Sequence, residues 1–305
     1  MIFQKHIYFF YYWLLLLFTG CNHSNNVCLP GCKPLLATNF KNLQDFKSVV
    51  DLSYFNASED SCIGTVRMSY ENQGQTISSI LSEGITQGDI TDAHKGSLWD
   101  KIYLVFQAPY AVIHRNELSK IFMLARRRPT IFGDNDVAFY DLALASMQNI
   151  KKDNQAFRNF RDSLEKGYIN TFNHITAQAL ITTIYSEDIA HFVATVHERH
   201  HMPELVSGKF SEKQLKDTVN FPTDNYVDII NNEIGQELGK YLKHKYAIDK
   251  KTRWTANLTC SFLNEVQAYY AQSFDIKIEP YSASDSIINR FSRKIEIIKK
   301  NRSYL

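Results

Sequence analysis

Excess charge of either sign is the first thing this sequence lacks: 34 Lys and Arg stand against 32 Asp and Glu, leaving +2 over 305 residues. A chain so balanced has no general attraction for a polyanion, so nucleic acid is not an expected partner. Glycine (12) and proline (7) are sparse, and no stretch repeats or falls to low complexity, which excludes collagen-like, fibrous and solenoid architectures. The apolar run Ile7 to Phe18 falls short of the roughly 20 residues that span a bilayer. What is present instead is 44% hydrophobic and 13% aromatic content, enough for the core of one large or two ordinary domains.

The N-terminus carries an address. A single Lys5 precedes the apolar run, and Thr19-Gly20-Cys21 follows it at once, the order of an export signal. Leu17-Phe18-Thr19-Gly20-Cys21 resembles the bacterial lipoprotein signal, in which the cysteine is acylated and becomes the first mature residue. That resemblance implies removal of residues 1–20, a lipid on Cys21 and an exported body tethered to a membrane; an uncleaved N-terminal anchor is the alternative. Asn22 is not an acidic retention signal, so the expected location is the outer membrane, facing the periplasm. The other cysteines, Cys28, Cys32, Cys62 and Cys260, are even in number, and in an oxidising compartment disulfides are expected. Cys28 and Cys32 flank the turn Leu29-Pro30-Gly31, which would leave Cys62 for Cys260; a metal clip at Cys28 and Cys32 is the rival.

The expected fold is mainly α, a multi-helix C-terminal domain behind a smaller α+β region. Residues 21–38 read as a tether, 39–150 as the α+β region and 151–305 as the helical domain. Cys62 to Tyr70 alternates as a strand, whereas Gln75 to His94 is rich in Gly, Ser and Thr and reads as loops with a short helix. Leu98 to Phe106 fits a strand or a buried helix. Helices are expected at 109–127, at 134–150 opening on Asp134-Asn135-Asp136, and at 153–166. Arg126-Arg127-Arg128 reads as a solvated helix end, with a phosphate or lipid headgroup as the other occupant considered.

The chemistry concentrates after Gly167. Tyr168 to Tyr185 is apolar or small on nearly every face and reads as a central helix containing His174. Ser186 restarts the chain as an N-cap, and Ile189, Phe192, Val193 and Val196 form a stripe. His197 and His201 lie about 40° apart beside that stripe, His200 nearer its centre and Glu198 turned away from it. His197-Glu198-x-x-His201 is the spacing by which one helical turn offers two imidazoles to a metal with a glutamate as base. Pro203 ends this helix just beyond the second histidine. A long helix from Asp224 to about Tyr246 then carries Asp228, Asn231, Asn232, Gly235 and Gly239 on one side. Two interior glycines and two asparagines weaken a helix, so they mark close backbone approach and a buried polar site rather than local stability. Glu233 and Glu237 project to the other side.

The order Asn173-His174, His197-Glu198, Asp228-x-x-Asn231-Asn232-x-x-Gly235 resembles an uncharacterised helical domain family of bacteria and phages. Its members carry Arg-His, then His-Glu, then Asp-Leu-His-Asn-Asn-x-x-Gly on three successive helices. Here Asn173 replaces the arginine and Ile230 the histidine. The resemblance covers residues 168–241 and implies that His174, His197, Glu198, Asp228, Asn231 and Asn232 converge.

Three functions are expected. In the first, a metal-dependent hydrolase acts on an envelope component, with His174, His197 and Asp228 holding zinc or another divalent metal, His201 as an optional ligand and Glu198 as the catalytic base. In the second, a zinc peptidase uses His197 and His201. In the third, the same residues form a structural hydrogen-bond network in a non-enzymatic envelope protein that binds a partner.

Overall fold

A computed structural model describes residues 32–56, 64–151, 156–207, 209–216 and 222–300. Residues 1–20, read above as an export signal, lie outside them, as do Cys21, Cys28 and Cys62. The fold is mainly α, with a small three-stranded antiparallel sheet near the N-terminus. After α1 (Leu43–Lys47) come β1 (Val50–Asn56), β2 (Gly64–Asn72) and β3 (Gln75–Ser82), in spatial order β1-β2-β3. Gln73 and Gly74 join the last two strands with positive φ at both positions, the tight turn whose twist suits a hairpin. β3 corrects the loop expected at the start of 75–94, whereas the short helix expected there is present at Gln87–Lys95. In β3, Ile77, Ser79 and Leu81 face inward between exposed Thr76, Ser78 and Ile80, and serine on both faces hid the alternation.

A run of short helices follows: α2 (Gln87–Lys95), α3 (Leu98–Gln107), α4 (Pro109–Ile113), α5 (Arg115–Ala125) and α6 (Pro129–Phe132). α7 (Phe139–Gln148) starts later than Asp134-Asn135-Asp136 had implied. The Asp141 carboxylate accepts from the Ala138 amide at 2.8 Å, while Asp136 is drawn inward to Lys294 Nζ, also at 2.8 Å. The helix expected at 153–166 is absent from its described part, which holds a 3-10 turn at Phe160–Ser163 and a π turn at Glu165–Ile169.

The centre consists of α8 (Asn170–Ile184), α9 (Glu187–His200) and, after the short α10 (Glu204–Ser207) and α11 (Glu212–Lys216), the long α12 (Pro222–Lys245). The two glycines of α12 make their purpose plain. A Cβ on Gly235 would lie 2.8 Å from the Ile175 carbonyl, and one on Gly239 2.6 Å from that of Ala179, so only glycine lets α12 lie this close to α8. α13 (Ala256–Phe274) and α14 (Ser286–Lys300) close the bundle. One hydrophobic core runs from Cys32 to Ile298, so the sheet region and the helical region share it. No described helix is long and apolar enough to cross a membrane. Cys260 is a thiol that donates to the Tyr281 carbonyl at 3.2 Å; Cys62, its expected partner, lies outside the described residues, among which no disulfide occurs.

Candidate functional site

Helical periodicity builds the site. Asn170 and His174 are four apart on α8; Asp224, Asp228 and Asn232 are four apart on α12; so two polar rows face each other across the glycine-lined contact. Lys166 pairs with Asp224. The Asn170 amide donates to Asp224 at 3.3 Å and to Asp228 at 2.8 Å. His174 Nε2 lies 3.3 Å from Asp228 Oδ2, its Nδ1 lies 3.0 Å from Asn232 Oδ1, and the Asn232 amide donates to Glu198 Oε1 at 2.9 Å.

Glu198 is 2% exposed: it turns away from the stripe, yet is buried on another side of the helix. The stripe from Ile189 to Val196 is only one of two buried sides of α9. A second row, Ala190, Ala194 and Glu198 at i, i+4 and i+8, faces its partner helices, and the two alanines admit them closely. That row was the available signal. Asn170, Asp224 and Lys166 were missed too, although the four-residue spacings to His174 and Asp228 announce the first two.

The protons follow from the partners. Asn232 Oδ1 can only accept, so His174 Nδ1 carries a hydrogen. Burial pushes the His174 pKa down, and pushes Asp228 well above the usual carboxylate range, helped by the fields of Asp224 and Glu198. Both shifts favour the uncharged forms, the neutral imidazole of His174 and the acid of Asp228. Glu198 is pushed up to about 8 by burial first and then by Asp224, against the lowering effects of its Asn232 hydrogen bond and Lys166.

His197 and His201 stand at the solvent edge with ring centroids 5.2 Å apart; His174 and His197 are 6.4 Å apart. His197 Nδ1 is 2.9 Å from Gln87 Oε1, an acceptor, so Nδ1 holds the proton and Nε2 keeps its lone pair. Crowded surroundings, and next the other imidazoles, depress the His197 pKa; burial followed by the charge of His200 lowers that of His201. His200 is exposed rather than central to the stripe.

Two expected residues stand apart from this network. Asn231 clamps the backbone of Leu35, accepting from its N–H at 2.9 Å and donating to its carbonyl at 2.8 Å. Gly235 acts through packing alone. Glu233 and Glu237 do face elsewhere: the first accepts from Ser79 at 2.8 Å, the second pairs with Lys240. Among the described residues no group of three or more His, Cys, Asp and Glu is arranged around one metal position. Of the expected ligand set, His174 faces Asp228 with one ring nitrogen and Asn232 with the other, while His197 stands at the solvent edge. The chain matches no protein-family model, no curated protein and no solved structure.

Proposed function

We propose that this protein is an exported, membrane-tethered lipoprotein whose helical domain carries a hydrolytic centre for an envelope component. The observation that carries the reading is Glu198. It is a buried carboxyl with a pKa of about 8, linked through Asn232 to His174 and next to a histidine that lacks a proton on its outward nitrogen. Such a group changes protonation near neutral pH, as a general acid or base must. His174, Asn232 and Asp228 are its positioning residues.

His197 and His201 fit a divalent metal, zinc or another. Metal-bound histidines usually donate their second ring N–H to a carbonyl or carboxylate, as His197 does to Gln87. Two imidazoles on one tetrahedral ion, with metal–nitrogen bonds of about 2.0–2.1 Å, have centroids about 5 Å apart, the spacing found here. Such an ion would make bound water nucleophilic at neutral pH. The chain's own part is to present two neutral imidazoles and to hold Glu198 protonatable.

A second reading also has an observation behind it: both ring nitrogens of His174, the amide of Asn232 and both oxygens of Asp228 have partners, as in a purely structural network. Elemental mass spectrometry of the purified chain separates the two. Stoichiometric metal that is lost in His197→Ala/His201→Ala and kept in Glu198→Gln, with turnover of envelope peptides or lipids lost in both, supports the hydrolase. Metal-free protein that takes up none, with variants that are merely less stable, leaves the network and a partner-binding role. Acylation is tested separately by metabolic labelling with a fatty-acid analogue, which Cys21→Ser abolishes.

A further inference from the structure

The helix Leu98–Gln107 is turned inside out. Apolar residues make up most of it, yet none is buried: Phe106 is 82% exposed, Trp99 77%, Leu98 70% and Tyr103 66%. At 3.6 residues per turn, these four with Ile102 and Val105 occupy an arc of about 160°. Half-buried Leu104 lies across from that arc, and Asp100, Gln107 and Lys101 fill the remainder. The helix is therefore amphipathic, with its apolar side to the solvent. Its local signals are complete: Ser97 and Asp100 form a reciprocal capping box, with the Ser97 hydroxyl donating to the carboxylate at 2.7 Å. Caps alone seldom hold ten residues in water, where a covered face supplies most of a helix's stability. Something covers this one.

Charge decides what. Between Lys95 and Ile131 seven Lys and Arg face only Asp100 and Glu117, a net of +5 in a chain whose total is +2. Arg126 and Arg128 bracket the exposed Phe122 ring, their guanidinium centres 5.2 and 4.6 Å from its centroid, while Arg127 is engaged by Asp141. Ile113 on the next helix is 70% exposed as well. Aromatic and aliphatic side chains exposed in a segment with a cationic surplus are what an anionic membrane surface selects. At about 15 Å, ten helical residues are too short to span a bilayer and suited to lying in its surface.

We propose that α3 is a second membrane contact, independent of Cys21, which seats the Leu98–Phe106 face in the headgroup region of an anionic bilayer. Its neighbours bring the candidate site to the same surface. α3 packs on α2, whose Gln87 holds His197, and the Tyr110 ring of α4 packs at 4.9 Å on Phe192 of α9. The centre proposed above then opens beside the membrane, so that a bilayer component reaches it without crossing bulk water.

The test uses the chain from Asn22 onward, which keeps every residue the structure describes, lacks both Cys21 and the apolar run Ile7 to Phe18, and leaves Trp99 and Trp254 as the only indoles. Trp254, 1% exposed, is a shielded baseline. Vesicles of brominated phosphatidylcholine, with or without brominated phosphatidylglycerol, are added. The expected result is quenching of the Trp99 emission by the anionic vesicles only, absent in Trp99→Phe and in Leu98→Asp/Phe106→Asp. The latter pair lies outside the core, and a far-UV spectrum checks that it folds. Arg126→Gln and Arg128→Gln each raise the lipid needed about fivefold. Three results overturn the proposal: no quenching by either vesicle, equal quenching by both, or a Trp99 already shielded before lipid is added in a sample of doubled mass. Each reads Trp99 directly, so none depends on the hydrolase or on the anchor.

Discussion

His174 Nε2 and Asp228 Oδ2 lie 3.3 Å apart in surroundings that favour the uncharged form of each, while the other ring nitrogen faces Asn232. An ion pair in the same place would need a charged imidazole in surroundings that depress its pKa and a carboxylate in surroundings that raise its own. The contact is thus one between two uncharged groups of types that usually carry charge.

Asp228→Asn tests this assignment. An asparagine accepts from Asn170 and donates to His174 as the neutral acid does, so its stability is expected within about 1 kcal/mol of wild type. Asp228→Ala leaves His174 Nε2 without its partner and Asn170 with Asp224 alone, and is expected to cost about 1–3 kcal/mol. Urea midpoints measure both, and a large loss in the asparagine variant would show the aspartate to be ionised.

Glu198 makes stability depend on pH. Its folded pKa, about 8, lies above the ordinary 4.5, so the folded state holds the proton longer than the unfolded chain. Its contribution is full below 4.5, declines as pH rises, and levels off beyond 8. Glu198→Gln removes that slope. Melting temperatures of the two proteins are expected to diverge in favour of the variant between pH 4.5 and 8, and parallel curves would refute the raised pKa.

Gly235→Ala and Gly239→Ala should each destabilise the fold, although alanine favours a helix by about 1 kcal/mol. The new methyl would meet the α8 backbone at under 3 Å. Overpacking of this kind costs about 1–3 kcal/mol, so the net change in the denaturation midpoint is a loss.

Asn231→Ala is expected to release the segment around Leu35 while sparing the His174 network. Loss of two buried hydrogen bonds costs about 2 kcal/mol. Hydrogen exchange should quicken at the Leu35 amide and stay slow in α8.

Lys294 is buried against Asp136 at 2.8 Å and also donates to the carbonyls of Arg126 and Val137. Lys294→Met strands a buried carboxylate, at a cost of about 3–5 kcal/mol. Adding Asp136→Asn should recover most of it, as thermal melts would show.

Much of the helical frame was legible because its signals are local. Ser186 caps α9 as its position implied, Pro203 follows that helix's end, and the paired glycines of α12 meet a neighbouring backbone. Illegible parts depended on partners distant in the chain. Asp136 looked like a helix cap until Lys294, 158 residues later, proved to be its partner. β3 was hidden by serines whose inward or outward sense only the hairpin register assigns.

The sequence by itself determined the periodic elements, the close approach of α12 to its neighbour and the set of polar residues available, since spacing and backbone sterics act within a few residues. Only the tertiary structure decided what those residues do. Glu198 became a buried, protonatable group because a second row of α9 packs inward, Asn231 became a clamp on Leu35, and an apolar helix was left facing out. Burial and hydrogen-bond partners are properties of the assembled chain, and they set which of several equally spaced side chains carries a charge.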